Sequence, residues 1–210
     1  MKKEILIAVS FIILTLIGCS SKVIQLSNYN FDVVNRDIIS KNSHTNTLVL
    51  NSKRGDGVAI IKDLKFDKGI IELELKGENN PGKSFVGIAF NIQNDSTYEV
   101  IYFRPFNFKS KEKIRREHSV QYIFHPKYTW RFLRTNHQGK YEAEYPSQPS
   151  PEDWFKVQVK IDDTKVSVYD KKTNTELLSI KRLSPQVSNR IGFWAGFNSK
   201  GEFRNLKILK

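Results

Sequence analysis

The chain has 210 residues, a formal net charge of +12 and a single cysteine. That length suits one β-rich domain with a real core and is too short for two comfortable ones. A lone cysteine excludes an internal disulfide and a cysteine-clustered metal site, so the core alone must stabilise the domain.

Lys2 and Lys3 open the chain, residues 5–17 are apolar except for Ser10 and Thr15, and Leu16-Ile17-Gly18-Cys19 follows. This is the pattern of a secretory signal over residues 1–18. The apolar run falls short of the roughly 20 residues that a membrane-spanning helix needs. The tetrapeptide LIGC resembles the bacterial lipoprotein box, which implies cleavage before Cys19 and acyl chains on its thiol. The domain would then sit in the bacterial cell envelope, in the periplasm or at the cell surface, held on a membrane through Cys19. Residues 19–25 read as a polar tether and residues 26–210 as the domain. An exported basic domain is separated from cytoplasmic nucleic acid, and its charge would steer anionic glycans toward it. A merely solvated basic surface is the alternative.

Residues 26–34 begin the domain, and two short apolar runs, 48–50 and 58–61, flank the turn KRGDG. In GIIELELK (69–76) Ile71, Leu73 and Leu75 point one way, while Glu72, Glu74 and Lys76 point the other. Two carboxylates about 7 Å apart on one side of a strand would suit the acid and base of an inverting glycosidase. The same alternation is what any wet strand face shows. GENNPGKS (77–84) spells the phosphate-loop pattern, but the strand-like SFVGIAFNI follows where that chemistry needs a helix. It reads as a hairpin turn. Residues 84–92 read as a central strand buried on both faces.

Residues 98–103 form the next strand, ended by Pro105, and residues 106–117 make a basic connection before a strand at 118–124. Pro126 then precedes one short helix at 127–136, with Trp130, Leu133 and His137 at i, i+3 and i+7 and Gly139 closing it. After a proline-rich loop at 145–151 come runs at 154–161, 165–169, 176–180, 190–195 and 203–209. About a dozen short strands with one helix predict an all-β fold, an antiparallel two-sheet jelly-roll sandwich.

Nine residues between 98 and 130 are aromatic, and the same stretch carries Arg104, Arg115, Arg116, His118 and His125. Aromatics and charge together predict a binding face built on a sheet. Tyr98, Tyr102 and Arg104 share one parity of their strand, with Asn107 just beyond. Gln121 and His125 share another, whereas His118 falls in register with Val120 and Tyr122, a core row. These residues and Trp130 form the predicted ligand-binding set, with His125 also the candidate for acid–base chemistry. Structural readings stand beside each: Arg104 as a clamp on loop carbonyls, His125 bonding the turn at Pro126, Trp130 as the buried anchor of the helix. Trp154 and Trp194 read as packing residues. No G-x-S-x-G, H-E-x-x-H or calcium-loop motif occurs, so no cofactor is implied, and a divalent metal held by other donors stays open.

Taken in order, GIIELELK, SFVGIAFN, YEVIYFRPFNF, HSVQYIFHPKYTW, WFKVQVKI, KVSVYD, RIGFWAG and EFRNLKI resemble the concanavalin A-like lectin and glucanase superfamily. Within it the chain looks most like bacterial exported domains grouped with the 3-keto-disaccharide hydrolase family, YFRPFNF and VQYIFHP being the specific parts. The resemblance implies two curved sheets, a carbohydrate-related role and a ligand near the concave sheet or its rim loops. It leaves three functions in play: glycan binding, cleavage of glycosides or 3-keto-glycosides, and a non-catalytic envelope interaction module. Cleavage through a 3-keto sugar needs one positioned base such as His125, because the ketone acidifies the neighbouring C–H.

Overall fold

A computed structural model describes residues 21–209, so the leader at 1–18 and Cys19 lie outside the described residues. Fifteen strands are present among them: β1 (Ser21–Val23), β2 (Phe31–Val34), β3 (Ile38–Asn42), β4 (Thr47–Leu50), β5 (Gly57–Lys65), β6 (Gly69–Lys76), β7 (Val86–Asn94) and β8 (Thr97–Phe103). The series continues with β9 (Val120–His125), β10 (Glu142–Ala143), β11 (Phe155–Ile161), β12 (Lys165–Asp170), β13 (Thr175–Lys181), β14 (Arg190–Ala195) and β15 (Gly201–Leu209). Two short helices, α1 (Lys113–Arg116) and α2 (Trp130–Asn136), lie in the connections on either side of β9. No helix among the described residues is long and apolar enough to cross a membrane.

The strands form two antiparallel sheets. One runs β13-β12-β11-β6-β15-β4-β3, with β1 added beside β15, and the other runs β10-β9-β8-β7-β14-β5-β2. Period-two alternation decides what lies between them. On β6, Ile71, Leu73 and Leu75 are fully buried while Glu72 and Glu74 face out to basic partners. Across the gap Phe193 stacks on Phe203 at 4.7 Å, and Phe103 meets Phe155 edge-on at 5.2 Å. This is a jelly-roll sandwich with an aromatic core. β7 is buried on both faces over most of its length, as its apolar run predicts.

One end of the second sheet carries a buried polar knot. Glu99 takes the Arg182 Nη2 at 2.5 Å, the Tyr122 hydroxyl and the Asn91 amide, which ties the segment after β13 to β7, β8 and β9.

Several local expectations are corrected. The tether ends earlier than residue 25, because Ser21–Val23 pairs with Lys207, Ile208 and Leu209, and Ile24 and Leu26 are fully buried. A three-residue edge strand is too short to show a period. The helix starts at Trp130, not at residue 127: Thr129 caps it by accepting from the Phe132 N–H, so Pro126 stands outside the first turn. The basic connection is not plain coil but holds α1 and a 3-10 turn at Pro105–Asn107. Residues 77–84 are not a hairpin, since β6 and β7 lie in different sheets and the segment crosses from one to the other.

Candidate functional site

Because Phe193 and Phe103 point between the sheets, their neighbours Trp194 and Tyr102 must point to the opposite face of the second sheet. The pairing register lines up Trp194, Gly87, Tyr102, Gln121 and Glu142 straight across β14, β7, β8, β9 and β10. Gly87 is what lets this row close. A Cβ there would stand 2.2 Å from the Ile101 carbonyl oxygen and 2.7 Å from the Tyr102 Cβ. With only hydrogen in that place, the rings of Tyr102 and Trp194 meet with centroids 5.0 Å apart.

Above this row lies a hollow of about 820 Å³, inside the range of about 300–1,000 Å³ usual for small-molecule sites. Tyr102, Trp194 and Ile123 form its floor. Phe85, Phe106 and Phe197 wall one side, while Trp130, Arg131 and Arg134 project into it from α2. Trp130 is 40% exposed, with the Arg131 and Arg134 guanidinium groups 5.4 Å and 5.1 Å from its ring. An apolar floor with an exposed ring at the rim is suited to a ligand that has apolar faces and polar edges.

The polar groups in the hollow are strongly fixed. Arg104, 5% exposed, donates from Nη1 to the His118 carbonyl oxygen at 2.7 Å, and from Nη2 to the Tyr102 hydroxyl at 2.6 Å and to Gln121 Oε1 at 3.1 Å. Its charge is met by Glu142, 3.5 Å away. Glu142 is shared, accepting also from Arg134 Nε at 3.0 Å and lying 3.1 Å from His118 Nδ1 without hydrogen-bond alignment. Burial lowers the pKa of both Arg104 and His118, with the Glu142 charge opposing it in each case. Burial likewise pushes the Tyr102 phenol up to about 12, so it stays a neutral hydroxyl.

At the other end His125 Nε2 lies 3.4 Å from Asp56 Oδ2, and the imidazole packs on Tyr98 at 5.5 Å. Burial lowers the His125 pKa and raises that of Asp56, each charge partly restoring the other. Buried Arg36 fixes this corner. Its Nη2 donates to the carbonyls of Gly55 at 2.8 Å, Ala195 at 2.8 Å and Gly196 at 2.5 Å, clamping the Asp56 turn to the loop that carries Phe197. Among the described residues no group of three or more histidine, cysteine, aspartate or glutamate side chains is arranged to hold a metal ion.

No protein-family model matches the sequence, and no curated protein matches it either. Solved structures do. A Bacillus subtilis protein of unknown function with a galectin-like fold superposes with a TM-score of 0.56 over 91% of this chain and 95% of that one, at 14% identity. The chain has a galectin-like, concanavalin A-like sandwich fold. A glycosidic hydrolase matches with a TM-score of 0.56 at 13% identity, over 90% of this chain and 95% of that one. The carbohydrate binding module CBM66 from Bacillus subtilis matches with a TM-score of 0.50 at 10% identity, covering 90% of this chain and 94% of that one.

In this galectin-like sandwich the predicted set divides. Tyr102, Arg104, Asn107, His125 and Trp130 all line the one hollow. Tyr98 and Gln121 do not: Tyr98 lies beneath the His125 ring, and Gln121, fully buried, holds Arg104 and donates to the Tyr141 carbonyl at 3.2 Å. His118 lines the hollow instead of the core, because it precedes β9 and strand parity does not reach it. Trp194 packs, as its strand pattern predicts, but its packed face is the floor of the hollow. Trp130 is at the rim rather than buried, and Leu133 anchors the helix.

Glu72 and Glu74 are on the other sheet, paired with Lys156 and Lys171 and with Arg204 respectively, far from any shared cleft with His125. Sequence reasoning missed Asp56, Phe85, Phe106 and Phe197. Asp56 sits in a turn read only as a breaker, and nothing in one sequence pairs it with a histidine 69 positions later.

Proposed function

We propose that this sandwich binds carbohydrate in the hollow on its second sheet. One observation carries the reading: Trp130 and Phe197, 40% and 46% exposed, present aromatic surface at a single hollow that also holds Arg104, Asn107 and His125 over a floor of buried Tyr102 and Trp194. Pyranose rings have apolar C–H faces and hydroxyl edges, so ring stacking plus a few fixed polar groups is the chemistry that selects them. The carbohydrate binding module and the glycosidic hydrolase of like fold support it. Arg131 is the one lining arginine without an acidic partner among the described residues, and it would meet the acidic group of an anionic glycan. A glycan array run with wild type and Trp130→Ala tests the reading. Loss of signal in a variant of unchanged melting temperature supports it, and equal signal removes it.

The proposal extends to address. The LIGC box and the apolar leader support export and lipid anchoring through Cys19 in the cell envelope. Metabolic labelling with a fatty-acid analogue, lost in Cys19→Ala, tests that part.

A second reading, glycoside cleavage, is favoured by the His125–Asp56 contact at the end of the hollow. Asp56 would hold one nitrogen of a neutral imidazole while the other takes a proton from the C–H beside the ketone. That electron pair forms a C=C bond as the glycosidic C–O bond breaks, and the aglycone leaves with the proton the imidazolium returns, as the likeness to the 3-keto-disaccharide hydrolase family suggests. Incubation with a 3-keto-glucoside, with and without chelator, tests it. Aglycone release abolished by His125→Gln is the supporting result; no release by wild type ends the idea.

A further inference from the structure

A second concavity, of about 400 Å³, lies behind the wall of the first. The segments at 77–85 and 196–200 contribute to both. Pro81, Gly82, Phe85 and Phe197 face the first hollow, whereas Glu78, Asn80, Lys83, Asn198 and Lys200 line the second. The two segments are welded together: the Phe85 N–H donates to Ser199 Oγ at 2.8 Å, the Gly196 N–H to the Phe85 carbonyl at 2.9 Å, and the Glu78 N–H to Ser84 Oγ at 2.8 Å. Ser84 and Ser199 are fully buried. The backbone of the ridge between the hollows is therefore fixed before any ligand arrives, and with it the positions from which the polar side chains on its far side project.

Those groups are unspent. Among the described residues the side chains of Glu78, Asn80, Lys83 and Asn198 make no hydrogen bond or ion pair, although the neighbouring Asn51 and Lys200 are taken by Asp37 and Glu202. Two carboxamides each offer donors and an acceptor, Glu78 accepts and Lys83 donates, which matches the mixed donor–acceptor character of sugar hydroxyls. The free charges, one of each sign, balance. No aromatic side chain lines this concavity, so it provides hydrogen bonds without a stacking platform.

We infer that the second concavity is a subsite for the continuing residues of an oligosaccharide whose end is held in the first hollow, so that the ligand is a chain crossing the ridge and not a lone sugar. The inference rests on the carbohydrate reading of the first hollow. It assigns Asn80 and Asn198 as chain-length-determining residues. Asn198 has φ +52°, in the left-handed region, so Asn198→Gly removes the carboxamide without strain.

The experiment is calorimetric titration with mono- to hexasaccharide series of gluco-, manno- and galacto-configured glycans. The wild type is compared with an Asn80→Ala/Asn198→Gly double variant and with Trp130→Ala. Two or so net hydrogen bonds predict that affinity rises about tenfold from disaccharide to pentasaccharide in the wild type. The double variant should lose that rise while keeping mono- and disaccharide affinity and melting temperature, and Trp130→Ala should weaken every length alike. Binding in the wild type with no length dependence, or a rise that survives in the double variant, overturns the subsite alone. Absence of binding at every length overturns the carbohydrate reading, and the subsite with it.

Discussion

The rings of Tyr102 and Trp194 lie 5.0 Å apart over a residue that has no side chain, Gly87, which pairs with both on adjacent strands. The contact makes the floor of the hollow continuous, and it exists only because nothing projects between the rings. Gly87→Ala places a methyl group against the Ile101 carbonyl oxygen and the Tyr102 Cβ, neither of which is the end of a flexible chain. Overpacking of this kind costs about 3 kcal/mol, and a domain of this size should melt roughly 6–12 °C lower. Thermal unfolding of the variant checks it, and an unchanged midpoint would contradict the geometry.

Arg104 and Trp130 both line the hollow, yet they should fail in different ways. Arg104 is clamped by its own surroundings, so Arg104→Ala leaves buried Gln121 Oε1 without its donor, strips the Tyr102 hydroxyl of its partner and leaves Glu142 to Arg134 alone, and should destabilise by about 1–3 kcal/mol. Trp130 is a rim residue, so Trp130→Ala should change stability by no more than about 0.5 kcal/mol while weakening glycan binding. Chemical denaturation and titration of the two variants separate the roles. Equal stability losses would show that the helix rim and the floor are one packed unit.

How far such roles can be read from sequence depends on the range of the signal. The β6 alternation of Ile71, Leu73 and Leu75 reports burial directly, because each side chain's face follows from its own position. Strand parity likewise grouped Tyr102 with Arg104. It failed for Tyr98 and Gln121, because the outer face of β8 and β9 is itself covered and parity tells only the face, not whether that face is open. Asp56, Phe85 and Phe197 come from loops joined across the sheet by Arg36 and Ser199, contacts with no local trace.

Acid should weaken the fold through two half-buried histidines. Burial is the leading cause that lowers the pKa of His118 and of His125 from 6.5. A folded-state value below the unfolded one means each histidine's contribution is complete above pH 6.5 and is lost as pH falls through the folded value. Asp56, raised by burial, acts in the opposite sense: its contribution is complete below 3.8 and is lost as pH rises through the folded value. The melting temperature should therefore fall between pH 7 and about pH 5, and His118→Gln and His125→Gln should each flatten that slope. A slope untouched by both substitutions would assign the acid sensitivity elsewhere.

Glu142 contacts Arg104, Arg134 and His118 together, and it is 5% exposed. Glu142→Gln keeps the shape but leaves two guanidinium groups facing each other in a poorly solvated place, so it should destabilise by about 3–5 kcal/mol. Since Arg134 is partly exposed on α2, Arg134→Met removes one of those charges and lets the other keep its bonds to Tyr102, Gln121 and the His118 carbonyl. The double variant should then be more stable than Glu142→Gln alone, a coupling of about 1–3 kcal/mol in a double-mutant cycle. Additive losses would mean that Arg134 reaches solvent when Glu142 is neutral, and that Arg104 alone carries the cost of losing the carboxylate.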